Sequence, residues 1–508
     1  MIILYHDTKT VVSVNCSTND WLCGTKIIEA FFLVAEKNPD EIIAWCNIEL
    51  KTVFNHNALI ENLNHNHKLL SYSSQQKPFF LPEIGYIEDS PFMKINYNVT
   101  YPTWQMSGDL GGVFGNTLLA FSALKNNSDL DYFLCSLAKT GQIKGLLCYS
   151  VPALFKDNFK SGLLKSQKSS AAQLFRFIHS HYKNQWMLFS LMAFFIFQKK
   201  FKIISFAQGF FSESYSKNVF KLPTFKKYNK LENPINRELD VVIPTLFRKD
   251  YLLQVLRDLK DQPVLPKTVI IIEQNENPAA KSELNFIDSE MWPFKIIHRL
   301  IHKTGACKAR NLALDLVESE WVFLADDDIR LPKDFIENAY RFIEKYDVEA
   351  VCFSCLQKGQ IEMLGNPIQW KGFGSGTSIV NSKTIEDLRF DGRFEHGFGE
   401  DSDFGRQIRN KGVDIIYDPF QTILHLKASS GGFRRKHQFT WQDDSPQPKP
   451  SPTIMLYKLK HETAEQLLGY KLRLFINFYR HQDIKNPIQY LKIMRQRWEK
   501  SVNLAQQL

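Results

Sequence analysis

Three consecutive aspartates, Asp326 to Asp328, follow an apolar run that begins at Trp321. Adjacent carboxylates strongly disfavour joint ionisation unless a positive charge offsets their repulsion. Mn²⁺ or Mg²⁺ would do this, because both cations bind carboxylate oxygens and leave positions for phosphate oxygens and water. The triplet therefore predicts a site for a divalent metal and a nucleoside diphosphate. A solvated acidic turn after a strand is the plain alternative.

A second acidic motif lies about seventy residues further along the chain. Glu400 and Asp401 stand beside glycines at the start of an amphipathic stretch that closes at Gly412. We expect this acidic pair to lie on a loop that faces a substrate. Asp403 is expected to be an ordinary first-turn charge, which the helix dipole favours. The next strand is predicted over Val413 to Tyr417, with an exit at Asp418-Pro419.

His425 follows that strand and precedes a Ser/Gly/Arg-rich stretch that contains Arg434 and Arg435. A lone histidine is more often structural than a metal ligand. Its position after two acidic motifs favours a metal-site role here.

The elements that position these residues are predicted from three apolar runs, VVIPT, TVIIIEQ and WVFLAD. Near-continuous apolar runs separated by helical stretches are typical of parallel strands buried on both faces. In open α/β sheets of this kind, ligands bind beyond the carboxyl ends of the strands. Pro244, Thr245, Glu273 and the aspartate triplet all fall at such ends, so we expect one crevice to collect them.

These segments, in this order, make residues 238–435 resemble a family-2 glycosyltransferase of the GT-A fold, of the bacterial surface-polysaccharide type. The resemblance rests on the first strand with its Pro-Thr turn, the second strand ending at Glu273, the segment HKTGACKARNLALDL, the aspartate triplet and the Glu-Asp pair. It implies a Rossmann-like, mostly parallel sheet.

The resemblance also implies roles for individual residues. Asp401 would be the general base, Glu400 would bind an acceptor hydroxyl, and the reaction would invert the anomeric centre. The metal would be held by Asp326, Asp328 and His425. The residues expected to bind the nucleotide sugar are Pro244, Thr245, Arg248, Glu273, Arg310, Asn311, Asp326 and Asp327, with Arg434 or Arg435 as further contacts to the diphosphate.

Two other functions compete with glycosyl transfer from a nucleotide sugar to a glycan or lipid-linked glycan. A metal-dependent nucleotidyltransferase shares the sheet and the acids, but it needs no Glu-Asp motif and typically carries a Gly-rich N-terminal loop, which is absent near Val241 to Arg248. A noncatalytic glycan-binding scaffold would be expected to lose the acids, all of which are present.

Length and composition predict an ordinary globular chain of two or three domains, with 508 residues, 44% of them hydrophobic and 23% charged. We place a smaller α/β domain at 1–155, a basic helical linker at 156–235, the catalytic domain at 236–440 and a helical extension at 441–508. The eight cysteines show no pairing pattern. This absence and the lack of a signal peptide favour a reduced, cytoplasmic setting.

The basic excess is concentrated in residues 151–230, which contain 14 Lys/Arg and 2 Asp/Glu. Within them, the apolar stretch Trp186 to Phe197 would form a helix about 18 Å long, short of a hydrocarbon core of roughly 30 Å. It is predicted either as a buried interdomain helix or as an interfacial helix on the anionic inner face of the cytoplasmic membrane. No recognition helix or RNP-like motif is present, so nucleic acid is not an expected partner.

The first 155 residues contain a degenerate echo of the catalytic half. The segment SDLDYFLCSLAKTGQ places Asp129 and Asp131 opposite Asp401 and Asp403. Upstream, Cys46, Asn47 and Glu49 stand where the aspartate triplet would be. We therefore expect a truncated, noncatalytic GT-A-like domain. An unrelated α/β domain with a chance match is the alternative.

Overall fold

The computed structural model describes residues 1–156, 167–215, 220–228, 235–428 and 438–508. The chain divides into two compact units. Unit 1 comprises Met1–Lys230 with Glu462–Ile476, and unit 2 comprises Leu231–His461 with Asn477–Leu508. Each unit has its own β-sheet. The predicted α/β class is confirmed.

Unit 1 is built on a seven-stranded sheet of order β2-β1-β3-β6-β4-β7-β5. Buried aromatic and aliphatic side chains on its faces make the core. The strands are β1 (Ile2–His6), β2 (Val11–Val14), β3 (Ile42–Asn47), β4 (Lys68–Tyr72), β5 (Tyr101–Pro102), β6 (Leu110–Phe114) and β7 (Leu147–Ser150). The helices between them are α1 (Ile27–Lys37), α2 (His56–Asn62), α3 (Gly115–Leu119) and α4 (Leu130–Gln142).

Three further helices, α5 (Ala171–His181), α6 (Gln185–Gln198) and α7 (Ile203–Phe210), occupy the segment predicted as a linker. They pack on unit 1. Phe177 of α5 is fully buried, and its ring stacks on Trp104 at 5.1 Å between centroids. A Cβ at Gly209 would lie 2.6 Å from the backbone of Phe175, so α7 crosses α5 at close range. These helices therefore extend the core of unit 1.

Helix α6 contains the apolar stretch Trp186 to Phe197, and its two sides differ in solvent exposure. Met187 and Phe194 are buried at 1% exposure, whereas Leu188 is 63% exposed and Phe195 is 42% exposed. One side of the helix therefore belongs to the core of unit 1, and the other side is exposed. Across the part of the chain that the structure describes, no helix combines the length and apolarity needed to cross a membrane.

The first half of the unit 2 sheet is parallel. Its strands are β8 (Leu239–Thr245), β9 (Thr268–Gln274), β10 (Lys295–Ile301) and β11 (Trp321–Ala325), in the order β10-β9-β8-β11. The helices are α8 (Lys249–Lys260), α9 (Phe286–Ser289) and α10 (Ala306–Leu314). Strands β8, β9 and β11 are almost entirely buried, as their continuous apolar runs predict.

The second half of this sheet is mixed. Strand β15 pairs antiparallel with both β11 and β13, and β16 lies parallel to β13. The strands are β12 (Ile329–Arg330), β13 (Ala350–Leu356), β14 (Ile368–Gln369), β15 (Thr377–Asn381) and β16 (Ile415–His425). The helices are α11 (Phe335–Tyr346), α12 (Ser382–Ile385) and α13 (Glu400–Asn410).

The predicted strand exit at Asp418-Pro419 is wrong. Strand β16 continues to His425, with an irregular register opposite Phe353 and Ser354 of β13. A proline is tolerated there because the ladder is already interrupted. The longer strand delivers His425 to the edge of the sheet at which the aspartate triplet lies.

The chain ends in three helices, α14 (Pro452–His461), α15 (Ala464–Phe478) and α16 (Pro487–Gln507). In unit 2, α14 packs on both α13 and α16. In unit 1, Gln466 of α15 donates to the carbonyls of Glu88 and Ser90. The predicted helical extension is therefore divided between the two units.

Candidate active site

A cavity of about 580 Å³ opens at the carboxyl ends of β8 and β11. This volume lies within the range of small-molecule sites, roughly 300–1,000 Å³. Most of the residues predicted for the site line it: Pro244, Thr245, Arg248, Arg310, Asp326, Asp327, Asp328, Glu400, Asp401 and His425. The structure thus brings both acidic motifs into one crevice.

Asp326 follows directly after β11 and packs tightly against the start of β15. Its backbone N–H donates to the carbonyl of Gly376 at 3.1 Å. A Cβ at Gly376 would lie 2.1 Å from the Oδ2 atom of Asp326, so only glycine leaves room for this carboxylate. The side chain of Asp326 is 37% exposed, which leaves it accessible from the cavity.

Arg310 of α10 forms an ion pair with Asp326. Its Nη2 donates to Asp326 Oδ1 at 3.0 Å. The guanidinium is only 5% exposed, yet its Nε and Nη1 atoms have no hydrogen-bond partner among the described residues. Buried donors are normally satisfied, so Arg310 has two donors left for an acceptor that enters the cavity. A diphosphate oxygen is an acceptor of the required kind.

Asp327 is turned towards β8 and is held by two partners. Thr245 Oγ1 donates to its Oδ2 at 2.8 Å, and Arg248 Nη1 lies 2.8 Å from its Oδ1. Burial raises the pKa of Asp327 to about 6, although the charge and hydrogen bond of Arg248 oppose the shift. The role that this geometry supports is to orient Arg248 at the cavity wall.

Asp328 connects the triplet to the end of β16. Its Oδ2 accepts from the backbone N–H of Ala428 at 2.9 Å, and its Oδ1 lies 3.4 Å from His425 Nε2. Burial opposes ionisation, but the hydrogen bonds from His425 and Ala428 hold the pKa of Asp328 below its usual value. The same contact raises the pKa of His425. The aspartate and the histidine therefore favour the charged pair.

A divalent cation would draw its ligands from Asp326, Asp328 and His425. Within the described ranges, no three His, Cys, Asp or Glu side chains converge on a ready-made metal centre. Asp328 and His425 are neighbours, and Asp326 lines the same cavity while it pairs with Arg310. Carboxylate oxygens and an imidazole nitrogen suit Mn²⁺, and the oxygens suit Mg²⁺. The donor types fit, and binding requires the side chain of Asp326 to turn from Arg310.

Glu400 and Asp401 are not on a loop as predicted, because α13 begins at Glu400 and its N-cap is Gly399. The acids occupy the first helical turn, where the helix dipole favours negative charge. Asp401 accepts a hydrogen bond from the hydroxyl of Ser375, and Glu400 is buried. Burial and then the charge of Asp401 raise the pKa of Glu400 to about 7.

Burial also raises the pKa of Asp401, while Arg310 and the Ser375 hydrogen bond oppose the shift. A carboxylate with a raised pKa is a stronger base, so Asp401 has the electrostatic setting of a proton acceptor. The charge of Asp401 in turn acts on its neighbour Glu400.

Asp403 is not the exposed first-turn charge that the sequence predicts. It is fully buried, and its Oδ1 lies 2.6 Å from both His461 Nε2 and Lys460 Nζ, at the end of α14. The partners lie far along the chain, so the motif itself contains no signal for them. The C-terminal helix α14 thereby fixes the position of the helix that carries the acidic pair.

Two predicted nucleotide contacts lie outside the main lining. Glu273 borders a recess of about 10 Å³ that shares Thr245 and Arg248 with the main cavity, and His298 Nε2 lies 2.8 Å from its Oε2. Asn311 pairs with the backbone N–H and carbonyl of Phe390, both at 2.8 Å. Arg434 and Arg435 lie outside the described residues.

Sequence reasoning missed Glu395 and His396, which line the cavity. Glu395 accepts the backbone N–H groups of Cys307 and Lys308 at the start of α10. A Cβ at Gly305 would lie 2.5 Å from the Glu395 carboxylate. In the sequence, the glycine before the Ala-Arg-Asn segment was the available signal. A glycine there indicates that another group lies close to the backbone, but it does not show that this group is Glu395.

Comparison with known proteins identifies part of the chain. Residues 240–394 match the family described as "Glycosyl transferase family 2". No curated protein matches the chain. The matched range contains the aspartate triplet and Arg310, and it ends before Glu400, Asp401 and His425.

Two solved structures illustrate the structural likeness. The S. aureus TarS 1–349 structure in complex with UDP-GlcNAc shares 17% identity, with 48% of this chain and 72% of that chain covered and a TM-score of 0.35. The mannosyltransferase PcManGT from Pyrobaculum calidifontis, in complex with GDP-Man and Mn²⁺, shares 16% identity, with 55% and 76% covered and a TM-score of 0.32.

Proposed function

We propose that this protein, in which residues 240–394 form a glycosyltransferase family 2 domain with the GT-A fold, transfers a sugar from a nucleotide-sugar donor to a hydroxyl of a glycan or lipid-linked glycan, with inversion and with a divalent metal. The observation that carries the proposal is the convergence of Arg310, Asp326 and Asp401 on one cavity of about 580 Å³. The cavity thus combines an anion site with a candidate base.

Asp401 is the proposed general base. A sugar hydroxyl is a poor nucleophile at neutral pH, and a positioned base that takes its proton contributes about 10²–10⁴ in rate. Asp401 lines the cavity, has a raised pKa and is oriented by Ser375. A single displacement from this side inverts the anomeric centre. Glu400 is proposed to bind an acceptor hydroxyl beside it.

The leaving diphosphate gains negative charge as the glycosidic bond breaks, and fixed positive groups stabilise that charge. Arg310 offers its two unpaired nitrogens, and Arg248 is held at the same wall by Asp327. Guanidinium groups match phosphate oxygens bidentately. These two arginines are the proposed diphosphate contacts.

Asp326, Asp328 and His425 are the residues that would hold Mn²⁺ or Mg²⁺. When bound, the cation would supply Lewis-acid stabilisation to the diphosphate. Because the contact with Asp328 raises the pKa of His425, its imidazole must lose a proton before it can bind a metal. Metal binding is therefore expected to release a proton.

A lipid-linked acceptor fits a surface formed by α6, α7 and the turn between them, called here the α6–α7 surface. Its large apolar side chains are exposed: Leu188, Phe195, Ile196, Phe201, Ile203, Ile204, Phe210 and Phe211. Lys183, Lys199 and Lys200 are exposed in the same segment. Exposed aromatics beside lysines are typical of helices that lie on anionic bilayers. We propose peripheral contact of this surface with an anionic membrane.

The proposal is tested by incubating the protein with a panel of UDP-, GDP- and dTDP-sugars, with Mn²⁺ or with EDTA, and measuring released nucleoside diphosphate. We expect release from one donor class, dependent on the metal and on Asp326. Release that EDTA does not affect would remove the metal from the proposal. No release from any donor with a glycan acceptor present would contradict glycosyl transfer.

A further inference from the structure

The sheet of unit 1 repeats the sheet of unit 2 strand by strand. In spatial order, β1-β3-β6-β4-β7-β5 correspond to β8-β11-β15-β13-β16-β14. The five successive pairings have the same directions in both units: parallel, antiparallel, antiparallel, parallel and antiparallel. The corresponding strands also follow the same order along the chain. Five matching pairings in one order are difficult to attribute to a chance α/β arrangement.

We infer that unit 1 is a second copy of the glycosyltransferase sheet that has lost the nucleotide half of its cleft, so the chain binds one nucleotide sugar and unit 1 binds none. This inference rests on the function proposed for unit 2. It goes beyond that function because it states that only unit 2 binds a nucleotide.

The helix that carries the candidate base has a counterpart in unit 1. Helix α4 follows β6 as α13 follows β15, and Asp131 is the second residue of α4 as Asp401 is of α13. Asp131 accepts from the backbone N–H of Gly108 at 2.7 Å, and Asp401 accepts from the hydroxyl of Ser375. Gly108 and Ser375 stand at the same distance before their strands.

This correspondence corrects the pairing predicted from the sequence. Asp129 is the N-cap of α4, where its side chain accepts from the N–H of Tyr132 at 3.0 Å, so it corresponds to Gly399 rather than to Asp401. Leu130 then occupies the position of Glu400. The copy has kept one acid, which lines its cavity, and has replaced the partner of that acid with an apolar side chain.

The aspartate triplet is also lost. Strand pairing aligns Cys46 opposite Leu110 in unit 1 with Ala325 opposite Thr377 in unit 2. The residue after each strand pair is therefore Asn47 in the copy and Asp326 in the catalytic unit. Two of the three aspartates are replaced by Asn47 and Ile48, and Glu49 stands at the third position.

The glycine that leaves room for the first aspartate of the triplet is also replaced in unit 1. Gly376, which leaves room for Asp326, corresponds to Asp109 in unit 1. The carboxylate of Asp109 accepts from the backbone N–H and hydroxyl of Ser74, at 2.7 and 2.6 Å. A structural carboxylate thus fills the position at which the catalytic unit needs glycine.

The strands that carry the nucleoside side of the cleft have no counterpart. Between β8 and β11, unit 2 inserts α8, β9, α9, β10 and α10. Arg248 is the N-cap residue of α8, Glu273 lies in β9 and Arg310 lies in α10. Between β1 and β3, unit 1 has the short antiparallel strand β2 and helix α1. Because β2 runs antiparallel to β1, no strand beyond β1 among the described residues brings its carboxyl end to this edge, where a nucleoside would rest.

The remaining cleft of unit 1 is small. Its cavity measures about 50 Å³, against about 580 Å³ in unit 2, and His6, Asn47, Asp109 and Asp131 are among its lining residues. Ligand sites for drug-sized molecules occupy roughly 300–1,000 Å³. A cavity of this size holds a few water molecules but not a nucleotide sugar.

The test is calorimetric titration of the full-length protein with the nucleoside diphosphate of the active donor and Mn²⁺. We expect one binding site per chain, and complete loss of binding in Asp326→Ala. Asp131→Asn, which preserves the size of the side chain, and Lys77→Ala, at an exposed rim position, should leave both stoichiometry and turnover unchanged.

Two sites per chain would overturn the inference. So would binding that persists in Asp326→Ala and is reduced by Asp131→Asn or Lys77→Ala. No binding by the unaltered protein would contradict the proposed function of unit 2, although it would agree with a unit 1 cavity that is too small for a nucleotide sugar.

Discussion

Asp401 and its neighbours show how the surroundings of a residue, rather than its type, decide its role. The chain places acids at 400, 401 and 403, within one helical turn. Asp403 is fully buried against Lys460 and His461, Glu400 is buried with a pKa raised to about 7, and Asp401 faces the cavity. One acid therefore has a structural role, and the other two are available for chemistry.

Asp401→Asn is expected to reduce kcat by at least about 100-fold, because the amide cannot accept the hydroxyl proton. Donor affinity should stay nearly unchanged, since Arg310 and Asp326 remain. Steady-state kinetics and calorimetric titration of the donor measure the two quantities, and Ser402→Ala, the next residue along α13, is the matched control. Loss of donor binding in the variant would show that Asp401 serves the nucleotide instead.

The acidic pair also predicts a pH dependence. Burial and the charge of Asp401 raise the pKa of Glu400 to about 7. Below that pH Glu400 gains a proton and can no longer accept a hydrogen bond from an acceptor hydroxyl as an anion. We expect kcat/KM to fall as the pH drops through about 7. In Glu400→Gln, which should be slow at every pH, this decrease in kcat/KM should be absent. An unchanged decrease of kcat/KM below about pH 7 in that variant would assign the titration to another group.

At the scale of elements, the short strand β15 provides the space that the first aspartate needs. Gly376→Ala would place a Cβ 2.1 Å from Asp326 Oδ2 and force the carboxylate away from its position. We expect donor binding to weaken by at least tenfold, about 1.4 kcal/mol, with the fold retained. Gly365→Ala is the matched control because no atom lies within 4 Å of its added Cβ. Equal donor affinity in both variants would contradict this role of Gly376.

Helices α6 and α7 carry the proposed membrane contact. The protein should sediment with anionic liposomes at low salt and be released at high salt, since attraction of about 1 kcal/mol per lysine is screened within a Debye length. Replacing Lys199, Lys200 and Lys202 with Gln should weaken liposome binding several-fold without lowering thermal stability.

Phe195 and Phe194 form a matched pair for the same test. Phe195→Asp, at a 42% exposed position, should reduce liposome binding and keep the fold, whereas Phe194→Asp, at 1% exposure, should destabilise unit 1. No sedimentation at any salt concentration would mean that the exposed side of α6 serves another partner.

The sequence predicts those elements whose apolar runs are long and uninterrupted. Strands β8, β9 and β11, with the polar residues at their ends, could be located because strands buried on both faces need such runs. Strand β15 has five residues and follows a glycine-rich segment, so it produces no comparable pattern. The continuation of β16 past Pro419 depends on an irregular pairing with β13, which only tertiary structure reveals.

The residues of the candidate site were likewise only partly predictable from the sequence. The identities of Asp326, Arg310 and Asp401 could be predicted, because charged residues at strand and helix ends have few structural explanations. The partners that orient them, Ser375 and Gly376, could not, because they are small residues whose importance lies in distance.

At the scale of the whole molecule, the chain contains two sheets that match in strand order and direction but have different surfaces. Unit 2 contains the cavity of about 580 Å³ with both acidic motifs, and unit 1 contains a cavity of about 50 Å³ and the α6–α7 surface. The basic excess of the chain, 14 Lys/Arg against 2 Asp/Glu in residues 151–230, also lies at this end of the sequence. We propose that unit 2 performs the transfer and that unit 1 contributes attachment rather than chemistry.

We propose that transfer occurs by a single displacement in the unit 2 cleft with Asp401 as the base. Its most direct test is NMR determination of the anomeric configuration of the new linkage, formed from the donor that the nucleotide-sugar panel identifies. We expect the unaltered protein to form a linkage whose configuration is opposite to that of the donor, and Asp401→Asn to form almost none of it. Retention of the donor configuration would contradict the single displacement and the role of Asp401.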